Sequence, residues 1–204
     1  MKSIPKHLIF YLIALTLLFI WSGINPNERF IWFLEVLPAV IGVLLLVVTF
    51  KSFRWSNMTY FWIFVHCIIL IIGGKYTYAD VPVFEWIQEY FEHSGNNYDK
   101  LGHFIQGFTP ALIVGELLLR KEVVQGTKWL AFIVFSICLS ISAAYELIEA
   151  IISMLVNDGA DSFLGAQGYI WGTQTYMMLA LIGALLAVLF LSTSQDTSIQ
   201  KIKV

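Results

Sequence analysis

Two carboxylates, Glu146 and Glu149, lie three residues apart in SAAYELIEA, residues 142–150, inside a long apolar run. At helical spacing they share a face, with Ser142 one turn before Glu146. A second group, NNYDKLGHFIQGF, places Asp99 and His103 at i,i+4 and Gln106 a further three residues on, again along one face. Facing helices that carry D-x-x-x-H and E-x-x-E build a carboxylate–imidazole cluster. Clusters of that kind hold a divalent metal or perform general acid–base chemistry. Asp99, His103, Glu146 and Glu149 are therefore the candidate catalytic or metal-ligating residues. Tyr78, Gln106, Asp161, Gln167, Gln174 and His66 are candidates for orienting the polar part of a substrate. No G-x-S-x-G or H-E-x-x-H motif accompanies them, so the reaction class stays open. Plainer readings stand beside these. Asp99–His103 can be a helix-start acid paired with a histidine, and His66 a hydrogen-bonded residue of a bundle interior. Glu35 can pair with Arg29 or Lys75 near the surface, and Glu116 with Arg120 as an ordinary i,i+4 ion pair.

The elements that must position these groups are membrane helices. Of the 204 residues, 58% are hydrophobic and 13% charged, against roughly 25% charged in soluble domains. Mean hydropathy is +0.76. Crossing the hydrocarbon core takes about 20 helical residues, and six spans of suitable length fall at about 7–24, 30–50, 58–74, 102–119, 128–156 and 171–193. The N-terminus, MKSIPKHLIFYLIALTLLFIW, has a basic start and an apolar core but no small-x-small cleavage site after it, and is read as an uncleaved first helix. The expected fold is an all-α helical bundle in the membrane, a single domain over 1–204. A net charge of −2 gives no basic field for nucleic acid. Cys67 and Cys138 lack a C-x-x-C partner and read as small apolar packers.

Basic residues fix the orientation. Nine of the twelve lie at the N-terminus, in the second and fourth loops and at the C-terminus, which places both termini in the cytoplasm. Asp80, Glu85, Glu89, Glu92, Asp99, Asp158 and Asp161 then fall outside. Depth follows from the same frame. Glu146 is eighteen residues beyond Lys128, about 27 Å along a helix that starts inside. Asp99 and His103 open a span that starts outside, and Glu35 follows Arg29 on that side. The groups that are costly in hydrocarbon, at least about 2.5–3.5 kcal/mol each on insertion scales, thus converge in the outer leaflet.

Two outer segments border this slab. In the loop 75–101, Phe84, Ile87, Tyr90 and Phe91 recur at helical spacing opposite Glu85, Glu89 and Glu92, which predicts a short amphipathic helix, either a cap over a site or a cover for the bundle. GADSFLGAQGYIWG carries four glycines, Gly159, Gly165, Gly168 and Gly172, and predicts a tight turn or re-entrant piece presenting Asp161 and Gln167. Gly73 and Gly74 predict a similar break at the end of the third span. The tail after Ser192 reads as an ordinary polar end.

EVLP (35–38), GGKYTYADVP (73–82), YDKLGHFIQGFTPAL (98–112), SAAYELIEA, GADSFLGAQG and WGTQTYMMLALIGA together resemble the YjdF family of bacterial inner-membrane proteins, in order and over nearly the whole chain. The resemblance implies a multi-pass protein of the bacterial inner membrane and no activity. It also exposes departures. The family's last motif reads like QGD-x-WDTQ-x-DM, whereas this chain has QGYIWGTQTYM, so Tyr169, Gly172 and Tyr176 stand where acids are expected. If those acids belong to a site, this chain has lost ligands. A shorter likeness, the D-K-x-x-H-F of Asp99–Phe104, is to VanZ-like membrane proteins and implies envelope-type ligands. Three functions are open at this level: an outward-facing metal or acid–base site acting on a lipid or other small molecule, a proton- or cation-coupled transporter, and a polar cluster that only locks helix packing.

Overall fold

The computed structural model describes residues 4–92, 95–155 and 170–203. The regular elements among them are helices: α1 (Lys6–Gly23), α2 (Arg29–Thr49), α3 (Asn57–Lys75), α4 (Pro82–Tyr90), α5 (Tyr98–Arg120), α6 (Thr127–Leu155) and α7 (Gly172–Lys203). All but α4 are long and apolar enough to cross a membrane. α1, α2, α3 and α6 match the expected spans to within one residue at each end. The chain is an all-α multi-pass membrane protein.

Two expected boundaries move. α5 begins at Tyr98 rather than 102, because Asn96 caps the approach: its Oδ1 accepts from the Tyr98 amide at 3.0 Å. α7 runs to Lys203, not 193, so the tail is no loose polar end. Gln195, 6% exposed, donates to the Leu112 carbonyl at 2.7 Å and to Thr59 Oγ1 at 3.3 Å, and Ile199 is buried one turn on. Gly73 and Gly74 do not break α3, which continues to Lys75.

α5 is the spine. It packs on α3, α6 and most intimately on α7. A Cβ at Gly107 would stand 1.7 Å from the Ala180 carbonyl oxygen, and one at Gly183 would stand 2.1 Å from that of Phe104. Small residues at helical spacing let the two backbones meet, the device that lets helices associate without a hydrophobic driving force between them. Ile105, Phe108, Leu112, Val134, Cys138, Ala184 and Ala187 surround this seam. A second apolar cluster, Leu15, Ala39, Ile63, Cys67 and Ile71, joins α1, α2 and α3.

Glu116 is more than a surface ion pair. It is fully buried, pairs with Arg120 at 2.8 Å, and accepts from the Ser56 amide (2.8 Å), Ser56 Oγ (2.8 Å) and Thr59 Oγ1 (2.6 Å). These bonds tie the start of α3 to α5 and, through Gln195, to α7. A buried charge is tolerated only when its lone pairs are filled in this way.

Candidate functional site

Site geometry starts at the turn between α3 and α4. Thr77 and Tyr78 both adopt left-handed backbone, φ +56° and +57°, a conformation that costs non-glycine residues of order 1–3 kcal/mol each and that clusters at functional sites. The turn is pinned by Tyr78 N–H to the Gly73 carbonyl (2.9 Å), Asp80 N–H to that of Tyr76 (3.1 Å) and Thr77 Oγ1 to Asp80 Oδ2 (3.1 Å). Its effect is to drive the Tyr78 ring inward, 7% exposed, between two glycines. A Cβ at Gly73 would sit 2.3 Å from Tyr78 Cζ, and one at Gly102 would sit 2.9 Å from Cε1. The glycines of GGKYTYADVP and DKLGHF therefore serve one purpose, a slot for this ring. Burial holds the Tyr78 phenol well above its ordinary pKa, and Glu35, Tyr145, Tyr98 and Asp99 add to the effect.

Tyr78 forms part of the wall of a cavity of about 290 Å³ between α2, α3, α5 and α6, at the small end of ligand sites, which run roughly 300–1,000 Å³. The end toward the α3–α4 turn is mostly polar: Glu35, Thr77, Tyr78, Asp99, His103, Gln106, Tyr145 and Glu149, with Ile31 and Leu70. The other end is mostly apolar: Ala39, Ile63, Cys67, Pro110 and Ile113, with His66 and Thr109 among them. Pro38 and Pro110 both line it. Neither has an N–H, so each leaves the carbonyl four residues earlier without its helical partner. Among the described residues, those of the wall that are exposed are Pro38 on α2 and Ile141 on α6. Among the described residues α2 packs along α3 and has no extended contact with α6, although Tyr145 bridges them by donating to Glu35 Oε2 at 3.1 Å. Among the described residues the exposed side of the cavity is thus the lateral gap between α2 and α6.

His103 is the hub of the polar end. Its Nε2 lies 3.5 Å from Asp99 Oδ1 and its Nδ1 3.6 Å from Glu146 Oε1, while Nδ1 also meets Gln106 Oε1 at 3.1 Å. Tyr176 lies flat on the imidazole, centroids 4.4 Å apart and planes 6° from parallel, and its hydroxyl hydrogen-bonds Asp99. Asp99 and Glu149 are within electrostatic reach of each other and of both Glu35 and Glu146. Among the described residues no lysine or arginine lines the cavity. Lys75 turns away, donating to the Ile24 carbonyl at 2.8 Å with Trp21 under its ammonium.

The residues expected from the sequence sort as follows. Asp99, His103 and Glu146 come together, and Glu149 joins the cavity one turn from Tyr145. Tyr78, Gln106 and His66 line the same cavity. Gln174 does not join them and is exposed on α7. Asp161 and Gln167, with Asp158 and Tyr169, lie outside the described residues. The metal expectation gains no ligand set here: among the described residues no three His, Cys, Asp or Glu side chains are gathered to hold an ion. His103 turns its two nitrogens to different carboxylates, so one ion cannot take both. Glu35 belongs to the site rather than to a surface pair with Arg29 or Lys75; its burial at 6% exposure and its bond to Tyr145 correct that reading. Tyr145 and Tyr176 were not legible as site residues from spacing alone. The helix α4 forms as expected, but none of its residues lines the cavity, so the turn before it, not the helix, shapes the site.

A family model described as predicted membrane protein (DUF2238) matches residues 7–197. This chain belongs to that family. It is also 47% identical over 180 residues to inner membrane protein YjdF of Escherichia coli (strain K12), an alignment covering 88% of this chain and 86% of the relative. No solved structure matches it. The chain is thus an inner-membrane protein of the YjdF type, and the relative's name gives a location without an activity. Within this family resemblance Tyr176 takes on meaning: where an acid is expected, this chain stacks a phenol on His103 and hydrogen-bonds it to Asp99.

Proposed function

We propose that the outer half of this bundle binds the polar end of an amphiphilic envelope or lipid molecule and performs acid–base chemistry on it. The observation that carries this reading is the two-part wall. Carboxylates, an imidazole and tyrosines line one end, apolar side chains line the other, and the opening faces the bilayer. A water-soluble substrate needs no apolar end, and a site for hydrocarbon alone has no use for three acids. Asp99–His103–Glu146 supplies the acid–base group, since an imidazole between two carboxylates on two helices can gain and lose a proton within hydrogen-bonding reach of a bound head.

Two features weigh against the alternatives. A purely packing cluster satisfies its own buried atoms, yet Ser142 Oγ and Glu146 Oε1 are buried without hydrogen-bond partners. A transport path needs polar groups through the bundle, yet the cavity floor is apolar and the next acid inward, Glu116, has its oxygens occupied by Ser56, Thr59 and Arg120. The test is native mass spectrometry of protein released gently from membranes. A lipid adduct on the parent that is lost in Glu35→Gln/Asp99→Asn is expected. Identical adducts on both, with both folded, would refute the reading.

A further inference from the structure

The charge of the lining narrows the ligand. We propose that the cavity takes a single-chain amphiphile with a cationic, amine-type head, admitted from the outer leaflet between α2 and α6. This rests on the amphiphile reading above and adds the class of head and the route of entry.

The head follows from what surrounds it. Glu35, Asp99 and Glu149 line the polar end and Glu146 lies 3.6 Å from His103, but among the described residues no lysine or arginine accompanies them. A phosphate or carboxylate head calls for cationic donors, and this wall sets three carboxylates against no lysine or arginine. A protonated amine supplies what is missing: positive charge and donors for several oxygens at once. Glu146 Oε1, on a residue 7% exposed, has no hydrogen-bond partner among the described residues and has His103 Nδ1 at 3.6 Å. The aromatic groups are an independent sign. Tyr78 and Tyr145 line the polar end, and tyrosine rings beside carboxylates suit an organic cation.

The tail and its route follow from the shape. A volume of about 290 Å³ holds roughly ten water-sized groups at about 30 Å³ each. That accommodates a head and a short length of one chain, with the rest of the chain left in the bilayer. Gly42 lies on the wall below Pro38, and a Cβ added there would meet nothing within 4 Å. A Cβ at that position is therefore free of strain, and a longer side chain built on it is expected to narrow the opening.

The experiment uses the full chain in phosphatidylcholine vesicles. Nitroxide-labelled stearylamine, stearyl alcohol and stearic acid are compared by the motionally restricted fraction of their spectra. The amine is expected to associate about ten- to a hundredfold more strongly than the alcohol, the range of one charge-assisted hydrogen bond, and the acid least. Gly42→Leu is expected to abolish the restricted amine component, and Glu35→Gln/Glu149→Gln to remove the preference for amine over alcohol. Equal association of all three probes, each still lost in Gly42→Leu, would overturn the amine assignment and leave the amphiphile cavity standing. Restricted amine unaffected by Gly42→Leu would overturn the route. No restricted component for any probe would overturn this inference and the function it rests on. The ranking of probes on the unaltered protein does not depend on any variant folding.

Discussion

Substituting Gly73 by alanine should eject Tyr78 from its slot. The ring is 7% exposed, and burying an aromatic side chain of roughly 150–250 Å² at about 25 cal/mol per Å² stabilises by at most about 4–6 kcal/mol. Against this stand the two left-handed residues, Thr77 and Tyr78, at of order 1–3 kcal/mol each, so roughly 2–6 together. The terms are equal in size, and the turn is held inward by a small margin. A methyl 2.3 Å from Tyr78 Cζ cannot be accommodated by small shifts, because the ring is wedged against Gly102 on its other side. The expected loss is about 1–3 kcal/mol, the usual range for overpacking, capped by the freedom of the turn to swing out and relax. Gly102→Ala, at 2.9 Å from Cε1, should cost less. The assay is thermal unfolding in detergent combined with hydrogen exchange at the Tyr78 and Asp80 amides, which bond to Gly73 and Tyr76. Both amides should lose protection in Gly73→Ala. Unchanged protection, or a Gly102→Ala loss larger than that of Gly73→Ala, would refute the reasoning.

Other outcomes follow from the same structure. Glu116→Ala should cost about 3–5 kcal/mol by removing the buried carboxylate shared by Arg120, the Ser56 amide and the Ser56 and Thr59 hydroxyls, with Glu116→Gln recovering part of it, as read by thermal unfolding in detergent. Ser142→Ala should be neutral within about 0.5 kcal/mol or slightly stabilising, because the Ser142 hydroxyl is fully buried without a partner; a loss above 2 kcal/mol would show a partner the structure lacks. Tyr78 has a raised pKa, so the folded state holds its proton longer than the unfolded chain does. Its stabilising effect is complete below the ordinary tyrosine range near 10 and is lost as pH rises above it. Tyr78→Phe should therefore flatten the alkaline fall in stability and remove one late-titrating component of the 295 nm absorbance.

Much of the scaffold was legible because hydropathy reports burial in lipid directly. Four helices ended within a residue of expectation. The misses have physical causes. The end of α7 was unreadable because its polar residues are satisfied by distant partners: Gln195 looks like tail chemistry until Thr59 and the Leu112 carbonyl meet it. The glycine pair at 73 and 74 signalled a special backbone need, but spacing could not say whether that was a break or a close approach. Within the site, i,i+4 and i,i+3 spacing found Asp99, His103, Gln106, Glu146 and Glu149, since one helix face is a local property. Glu35 was visible as a costly acid, but its partner Tyr145 lies 110 residues away. Tyr176 was noticed only as a departure from a family motif, and its stacking on His103 is a tertiary fact.

The most direct test of the central claim is an electron-density map of the protein in lipid nanodiscs, with a rigid binder to aid alignment. The expected result is an elongated density whose wide end rests against Glu35, Tyr78 and Tyr145 and whose tail leaves between Gly42 and Ile141. A cavity closed by inward collapse of α2 on α6, or one filled only by separate water peaks, would contradict it.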